Sequence, residues 1–235
     1  MPGLLTYAVG DIHGSYTKLV NLHRRCLDHS AGRPHRFLFL GDYVDRGKRS
    51  QDVVNFLIKA QARAPEQIVC LKGNHEDMLL RAAKHEDELT WLANGAETTL
   101  RSYGVGAAAD IAADHLEWFA ALPLSVSDEK RFYVHAGIMP GVPLSKQAKD
   151  VMLWIREPFL SDRSEHGRFI VHGHTPTETR TPEFLSNRVN LDTLAWHDGP
   201  LTAAVFDEKA TGPLAFLTDD GRIVKAPMIT ELEEA

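Results

Sequence analysis

Cysteine is scarce in this chain of 235 residues: Cys26 and Cys70 are the only two. Neither has a CxxC neighbour, so no thiolate metal site or redox pair is visible. Both are read as buried free thiols, Cys26 in a helix and Cys70 in a strand, which suits a reducing cytoplasm. Long apolar runs are missing as well, since none approaches the roughly 18 residues needed to cross a bilayer. Met1 to Tyr7 carries no charged leader and Asp11 follows soon after, unlike a secretory signal. Positive charge is not in excess: 26 Lys+Arg against 32 Asp+Glu leave a formal charge of −6. Such a chain is a poor candidate for binding nucleic acid through its backbone, although a local basic pocket for one phosphate stays open. Repeats and low-complexity blocks are also lacking.

What is present is ordinary for a globular protein: 43% apolar and 25% charged residues, 17 Gly and 12 Pro. That composition excludes intrinsic disorder, collagen-like repeats and a long coiled coil. The length fits one sizeable domain or two small ones. Twelve histidines make metal or acid–base chemistry worth seeking.

The first half alternates short apolar runs with helical periodicity. Leu4 to Val9 stops at Gly10-Asp11, Arg36 to Leu40 at Gly41-Asp42, and Gln67 to Leu71 just before Gly73-Asn74. Each reads as a buried strand. Leu19, Leu22, Cys26 and Leu27 recur at helical spacing after Ser15, as do Val53, Val54, Leu57 and Ile58 after Ser50. Such βαβ units imply adjacent parallel strands, with ligands beyond their carboxyl ends. From Glu76 to about Asp128 the pattern is mostly helical, broken at Gly104-Val105-Gly106-Ala107, with no strong strand signal. Strands return at Arg131–Val134, Phe169–Val171, Arg188–Leu191, Leu201–Phe206, Leu214–Leu217 and Ile223–Val224. The last four are closely spaced and punctuated by turns, which suits an antiparallel second sheet. The acidic tail Glu231 to Ala235 is expected to fray.

Asp11, His13, Asp42, Asn74, His135 and His174 follow these strands. All six are oxygen or imidazole donors, a mixed set that suits Mn²⁺, Fe²⁺ or Zn²⁺. For any one of them a turn, a helix cap or a packed histidine is the simpler explanation. For all six at successive strand ends, coincidence is the weaker one. His172, two residues before His174, falls on the opposite phase of its strand and is expected to pack elsewhere. Gly41 to Lys48 fails as a phosphate-binding P-loop by its glycine spacing. His75-Glu76 and His85-Glu86 fail as zinc-protease motifs because Leu79 and Leu89 stand where a second histidine is needed.

Gly10-Asp11-Ile12-His13-Gly14, Gly41-Asp42-Tyr43-Val44-Asp45-Arg46-Gly47, Gly73-Asn74-His75-Glu76, His135-Ala136-Gly137 and Gly173-His174-Thr175 resemble the calcineurin-like metallophosphoesterases. The second and third motifs are most similar to the phosphoprotein phosphatase branch, in its bacterial and phage form. The resemblance implies one α/β domain over residues 1–235: an αββα sandwich of two mixed β-sheets flanked by helices, in which the helical stretch at about 76–128 reads as an insertion. It implies that Asp11 and His13 hold a first metal, that Asp42 bridges both, and that Asn74, His135 and His174 complete the second. His75 would donate a proton, oriented by Asp45, while Arg46 and Arg156 bind phosphate. Asp192 is read as structural or as a support behind the metal ligands, not as catalytic. Pro176 stands where many relatives carry a further histidine, leaving the first metal one protein ligand fewer.

The implied activity is that of a phosphomonoesterase, and specifically a serine/threonine protein phosphatase. Two divalent ions, Mn²⁺ first with Fe or Zn as alternatives, would activate a bridging hydroxide for direct attack. Expected partners are a phosphorylated protein or a small phosphoester, with no nucleic acid, no membrane and a cytoplasmic setting. Two rivals stay open: a symmetrical dinucleoside polyphosphate hydrolase, and a regulatory binding protein on a phosphatase scaffold. Phosphodiesterase action is disfavoured by the acidic chain and by Pro176.

Overall fold

A computed structural model describes residues 3–227, so the acidic tail lies outside the described residues. In the first half, β1 (Leu5–Val9), α1 (Tyr16–Ser30), β2 (His35–Phe39), α2 (Ser50–Arg63) and β3 (Ile68–Cys70) alternate. β1 pairs parallel with β2, and β2 with β3. Parallel strands need crossovers, and the two amphipathic helices supply them. α1 buries Leu19, Leu22 and Cys26, and α2 buries Val53, Val54 and Leu57.

Four helices follow: α3 (Asn74–Ala83), α4 (Glu88–Ala93), α5 (Ala96–Tyr103) and α6 (Ala113–Ala121). β4 (Ser125–Ser127), a strand with no sequence signal, closes this mostly helical stretch by pairing antiparallel with β5 (Arg131–Val134). Three residues are too short to display an alternation. Beyond β5 come α7 (Lys149–Trp154), β6 (Phe169–His172), β7 (Glu183–Phe184), β8 (Arg188–Asn190), β9 (Thr202–Phe206), β10 (Ala215–Thr218) and β11 (Ile223–Lys225).

The expected pair of mixed sheets flanked by helices is what the structure shows. One sheet runs β11-β10-β9-β1-β2-β3 and the other β4-β5-β6-β8-β7. The sequence expectation for the last strands needs correcting. β9, β10 and β11 do not join the second sheet; they extend the first, with β9 antiparallel to β1. β8 does join the second sheet, lying parallel to β6. Turn spacing reveals that strands are antiparallel to one another, but which sheet they edge is decided by β1, two hundred residues away.

Alternation along the strands assigns side chains to layers. Tyr7, Val9, Phe37 and Phe39 face the helices α1 and α2, while Ala8, Leu38 and Leu40 face the second sheet. Tyr133, Val171, Val189 and Phe206 complete that middle layer. Phe132, Val134 and Ile170 point outward onto Met152, Ile155 and Phe159, in and just after α7. Both faces of each sheet are therefore covered, and the free carboxyl ends of β1, β2, β3, β5 and β6 are left to carry polar loops.

Candidate metal centre

Those loops converge. Asp11 and His13 follow β1, Asp42 and Asp45 follow β2, Asn74 and His75 open α3, His135 follows β5 and His174 follows β6. All eight side chains are buried. The backbone is bent hard to bring them there. Among the described residues nine non-glycine residues have positive φ, and five are His13 (43°), Asp42 (53°), Asp45 (69°), Arg46 (63°) and His174 (68°). Such conformations cluster where surrounding structure holds a site in place. Glycine is required beside them: a Cβ on Gly73 would collide with the Asp42 carboxylate, and one on Gly173 with Asp11.

The Asp42 carboxylate is divided between two groups of imidazoles. Its Oδ2 lies 3.3 Å from His13 Nε2 and 3.9 Å from His75 Nε2. Its Oδ1 lies 3.4 Å from His135 Nε2. His13, Asp42 and His75 thus form one cluster of candidate ligand atoms, and Asp42, His135 and His174 another, each within 4.8 Å. Asn74 Oδ1 sits between the imidazoles of the second cluster, 2.8 Å from His135 Nε2 and 3.0 Å from His174 Nδ1. Both oxygens of Asp11 meet the backbone N–H of His174 at 3.1 Å.

Hydrogen bonds behind the rings fix their tautomers. His13 Nδ1 donates to Val44 O (2.7 Å) and His135 Nδ1 donates to Leu40 O (3.0 Å). Their Nε2 atoms are therefore left to face Asp42, as donors when the rings are charged and as free lone pairs when they are neutral. Burial and the carboxylates of Asp192 and Asp42 push Asp11 well above the usual range. Burial also opposes ionisation of Asp42, but His135, His75 and His13 outweigh it and hold that carboxyl well below its ordinary value. Burial and neighbouring His135 bring His174 down to about 3, so this ring is neutral and able to ligate. Imidazole nitrogens converging on carboxylate oxygens, with three acids packed close, form a ligand set that fits divalent cations.

Glu76 holds the floor together. Its buried carboxylate accepts the N–H groups of Asp42 (2.9 Å), Tyr43 (2.8 Å) and Gly73 (2.9 Å), tying the loop after β2 to the start of α3. Burial and Asp42 push Glu76 up to about 8, against the pull of those three donors. Asp192 is buried beside Asp11 and accepts the N–H of Leu194 (3.0 Å), a turn-forming contact. His172 packs on Phe159 and meets Arg188 Nη1 at 3.3 Å.

The second-row contacts of His75 are close. Its Nδ1 donates to Asp45 Oδ2 at 2.6 Å. A cleft of about 360 Å³ opens above, lined by Asp42, Arg46, Asn74, Asn94, Trp154, Arg156, His174 and Pro176. Arg46 Nη1 lies 3.3 Å from His13 Nε2, and its guanidinium sits 5.5 Å from the Trp196 ring centroid. Arg156, just after α7, is exposed at the cleft wall. Sequence reasoning singled out neither Glu76 as a loop clamp nor Asn94 and Trp154 as wall residues. Glu76 lay inside a quoted motif and Trp154 two residues before Arg156, whereas Asn94 carried no local signal.

A family model described as calcineurin-like phosphoesterase matches residues 4–212. Among solved structures, a protein provisionally described as a diadenosine tetraphosphatase superposes with a TM-score of 0.68 at 21% identity, over 97% of this chain and 99% of its own. A cold-active protein-tyrosine phosphatase of the psychrophile Shewanella sp. gives 0.66 at 17%, over 97% and 83%. A protein serine/threonine phosphatase from Saccharomyces cerevisiae, similar to human phosphatase PP5, gives 0.61 at 17%, over 97% and 81%. At these identities the structural likenesses speak for the fold alone. The family match spans most of the sequence and agrees with the paired clusters around Asp42, so the chain belongs to the calcineurin-like phosphoesterases, a family of metal-dependent phosphoester hydrolases.

Proposed function

We propose that this protein is a phosphomonoesterase that removes phosphate from serine and threonine side chains of proteins. The observation that carries this reading is the division of Asp42, one oxygen toward His13 and the other toward His135, beside a histidine tied to its own carboxylate. Asp11, His13 and Asp42 would hold one divalent cation; Asp42, Asn74, His135 and His174 would hold a second. Mn²⁺ suits this set, with Fe or Zn as alternatives. Such a pair, when bound, supplies Lewis-acid activation of water and neutralises phosphoryl charge.

The remaining work belongs to this chain's own side chains. Arg46 and Arg156 line the cleft and would take the phosphoryl oxygens, Arg46 braced by Trp196. His75 would hold a proton on Nε2 for the departing oxygen, with Nδ1–H kept on Asp45. A carboxylate behind an imidazole serves a metal ligand as well as an acid. The acid role is assigned because Asp11, His13 and Asp42 already furnish three donors on that side. A departing serine alkoxide is a much stronger base than a departing nucleoside diphosphate, so a fixed acid favours the phosphoprotein reading over the dinucleotide one.

The test is a substrate panel with Mn²⁺-loaded protein. Release of inorganic phosphate from a phosphoserine peptide is expected, and His75→Ala is expected to lower that turnover by about 100-fold or more. Hydrolysis of an activated aryl phosphate should fall by less than about 10-fold in the same variant. Equal losses would remove His75 from proton donation. Cleavage of diadenosine tetraphosphate to two diphosphates, with phosphopeptides untouched, would overturn the substrate class. Failure on every phosphoester would point to a binding scaffold.

A further inference from the structure

The carboxylate behind His75 is itself held by residues outside every motif. Asp45 is fully buried and sits at a φ of 69°. Its Oδ2 accepts two donors, His75 Nδ1 at 2.6 Å and the indole Nε1–H of Trp91 at 2.9 Å. Its Oδ1 accepts the hydroxyl of Thr99 at 2.7 Å, and Thr99 Oγ1 in turn accepts the Asp45 backbone N–H at 2.7 Å. Ser50 Oγ stands 3.1 Å from the same hydroxyl. Trp91 lies on α4 and Thr99 on α5, both buried in the helical stretch between β3 and β4.

We propose that Trp91 is a positioning residue for the reaction: it locks the plane of the Asp45 carboxylate and thereby the ring of His75. The inference rests on the acid role given to His75 under the proposed function. Its physical content is geometric. An oxygen shared by two N–H donors cannot swing toward one without losing the other, so the Asp45–His75 axis is fixed from behind. Thr99 clamps the other oxygen and the strained backbone, leaving rotation about the carboxylate's own axis to be stopped by the indole. His75 Nε2 is then kept pointing toward Asp42 Oδ2, 3.9 Å away. Small misplacement of a reacting group is enough to reduce turnover strongly.

Trp91→Phe in the Mn²⁺-loaded protein removes the N–H and keeps an aromatic ring. With a phosphoserine peptide, kcat is expected to fall about 10–30-fold and KM to stay within about 2-fold. With p-nitrophenyl phosphate, whose leaving group needs no proton, kcat should fall less than about 3-fold. In a His75→Ala background the same substitution should cost nothing further, because residues acting through one group are non-additive. Equal losses on both substrates, an undiminished loss in the His75→Ala background, or no loss at all would overturn the proposal. Should the smaller ring unfold the protein, 3-benzothienylalanine at position 91 retains the bicyclic shape with sulfur in place of N–H and must give the same pattern. A second readout needs no turnover: in ¹⁵N-histidine-labelled, metal-free protein the His75 Nδ1–H proton should exchange faster in the variant. Unchanged exchange would also overturn it. If His75→Ala shows no leaving-group dependence, the acid assignment fails, while proton exchange still reports whether Trp91 holds the pair.

Discussion

The two sides of Asp42 are built differently. On one side His13 and His75 belong to loops of a single sheet, and each ring has its Nδ1 tied to a fixed acceptor, Val44 O or Asp45. Glu76 ties the loop after β2, which carries Asp42, to the start of α3, which carries His75, through backbone N–H groups. On the other side Asn74 comes from the first sheet and His135 and His174 from the second, so the cluster exists only where the sheets meet. His174 is also the more open ring, 8% exposed against 1% for His13, and it borders the exposed Trp154 at the cleft. One half is a rigid floor made by neighbouring loops. The other is a seam whose geometry depends on the packing of Ala8, Leu38, Tyr133 and Val171 between the layers.

Substitutions can break or sharpen that contrast. Asp42→Asn should have the largest effect, since both halves share this one charge. Turnover should fall below detection and both Mn²⁺ equivalents should be lost in metal analysis; retention of one equivalent at wild-type affinity would show the halves to be independent. Glu76→Ala should come next. It strands three buried N–H groups, and urea unfolding of the metal-free protein should register a loss of about 3 kcal/mol or more. A loss under about 1 kcal/mol would mean that the floor stands without its clamp. His13→Ala and His174→Ala form the finest comparison. Each should weaken one Mn²⁺ equivalent by at least about 10-fold, with His174→Ala milder because water can enter at the open ring. Equal weakening of both equivalents by either variant would erase the distinction between floor and seam.

Much of this was legible in the residues. Asp11, Asp42, Asn74 and His174 stand out because a glycine and then a polar donor follow a buried strand, and His135 because it follows one directly with Gly137 close behind, a pattern that burial alone does not produce. The parallel first half was readable for the same reason, from apolar runs separated by helical spacing. β9, β10 and β11 were misassigned because pairing between distant strands leaves no local mark. Trp91 and Thr99 were silent: an indole on a helix reads as core, and only the folded chain shows its N–H meeting Asp45. Glu76 shows a milder form of the same limit. Its motif was visible, but its duty toward Asp42 and Tyr43 joins residues 33 and 34 positions apart.

Gly73 and Gly173 carry a practical corollary. Each presses its bare α-carbon against a carboxylate, so not even a methyl group fits there. Anyone retargeting this scaffold would do best to leave positions 41–47, 73–76, 156 and 173–174 untouched and to diversify the cleft walls at Asn94 and Trp154. The basin that would cradle the reacting group tolerates no remodelling, while its shoreline is free to be redrawn.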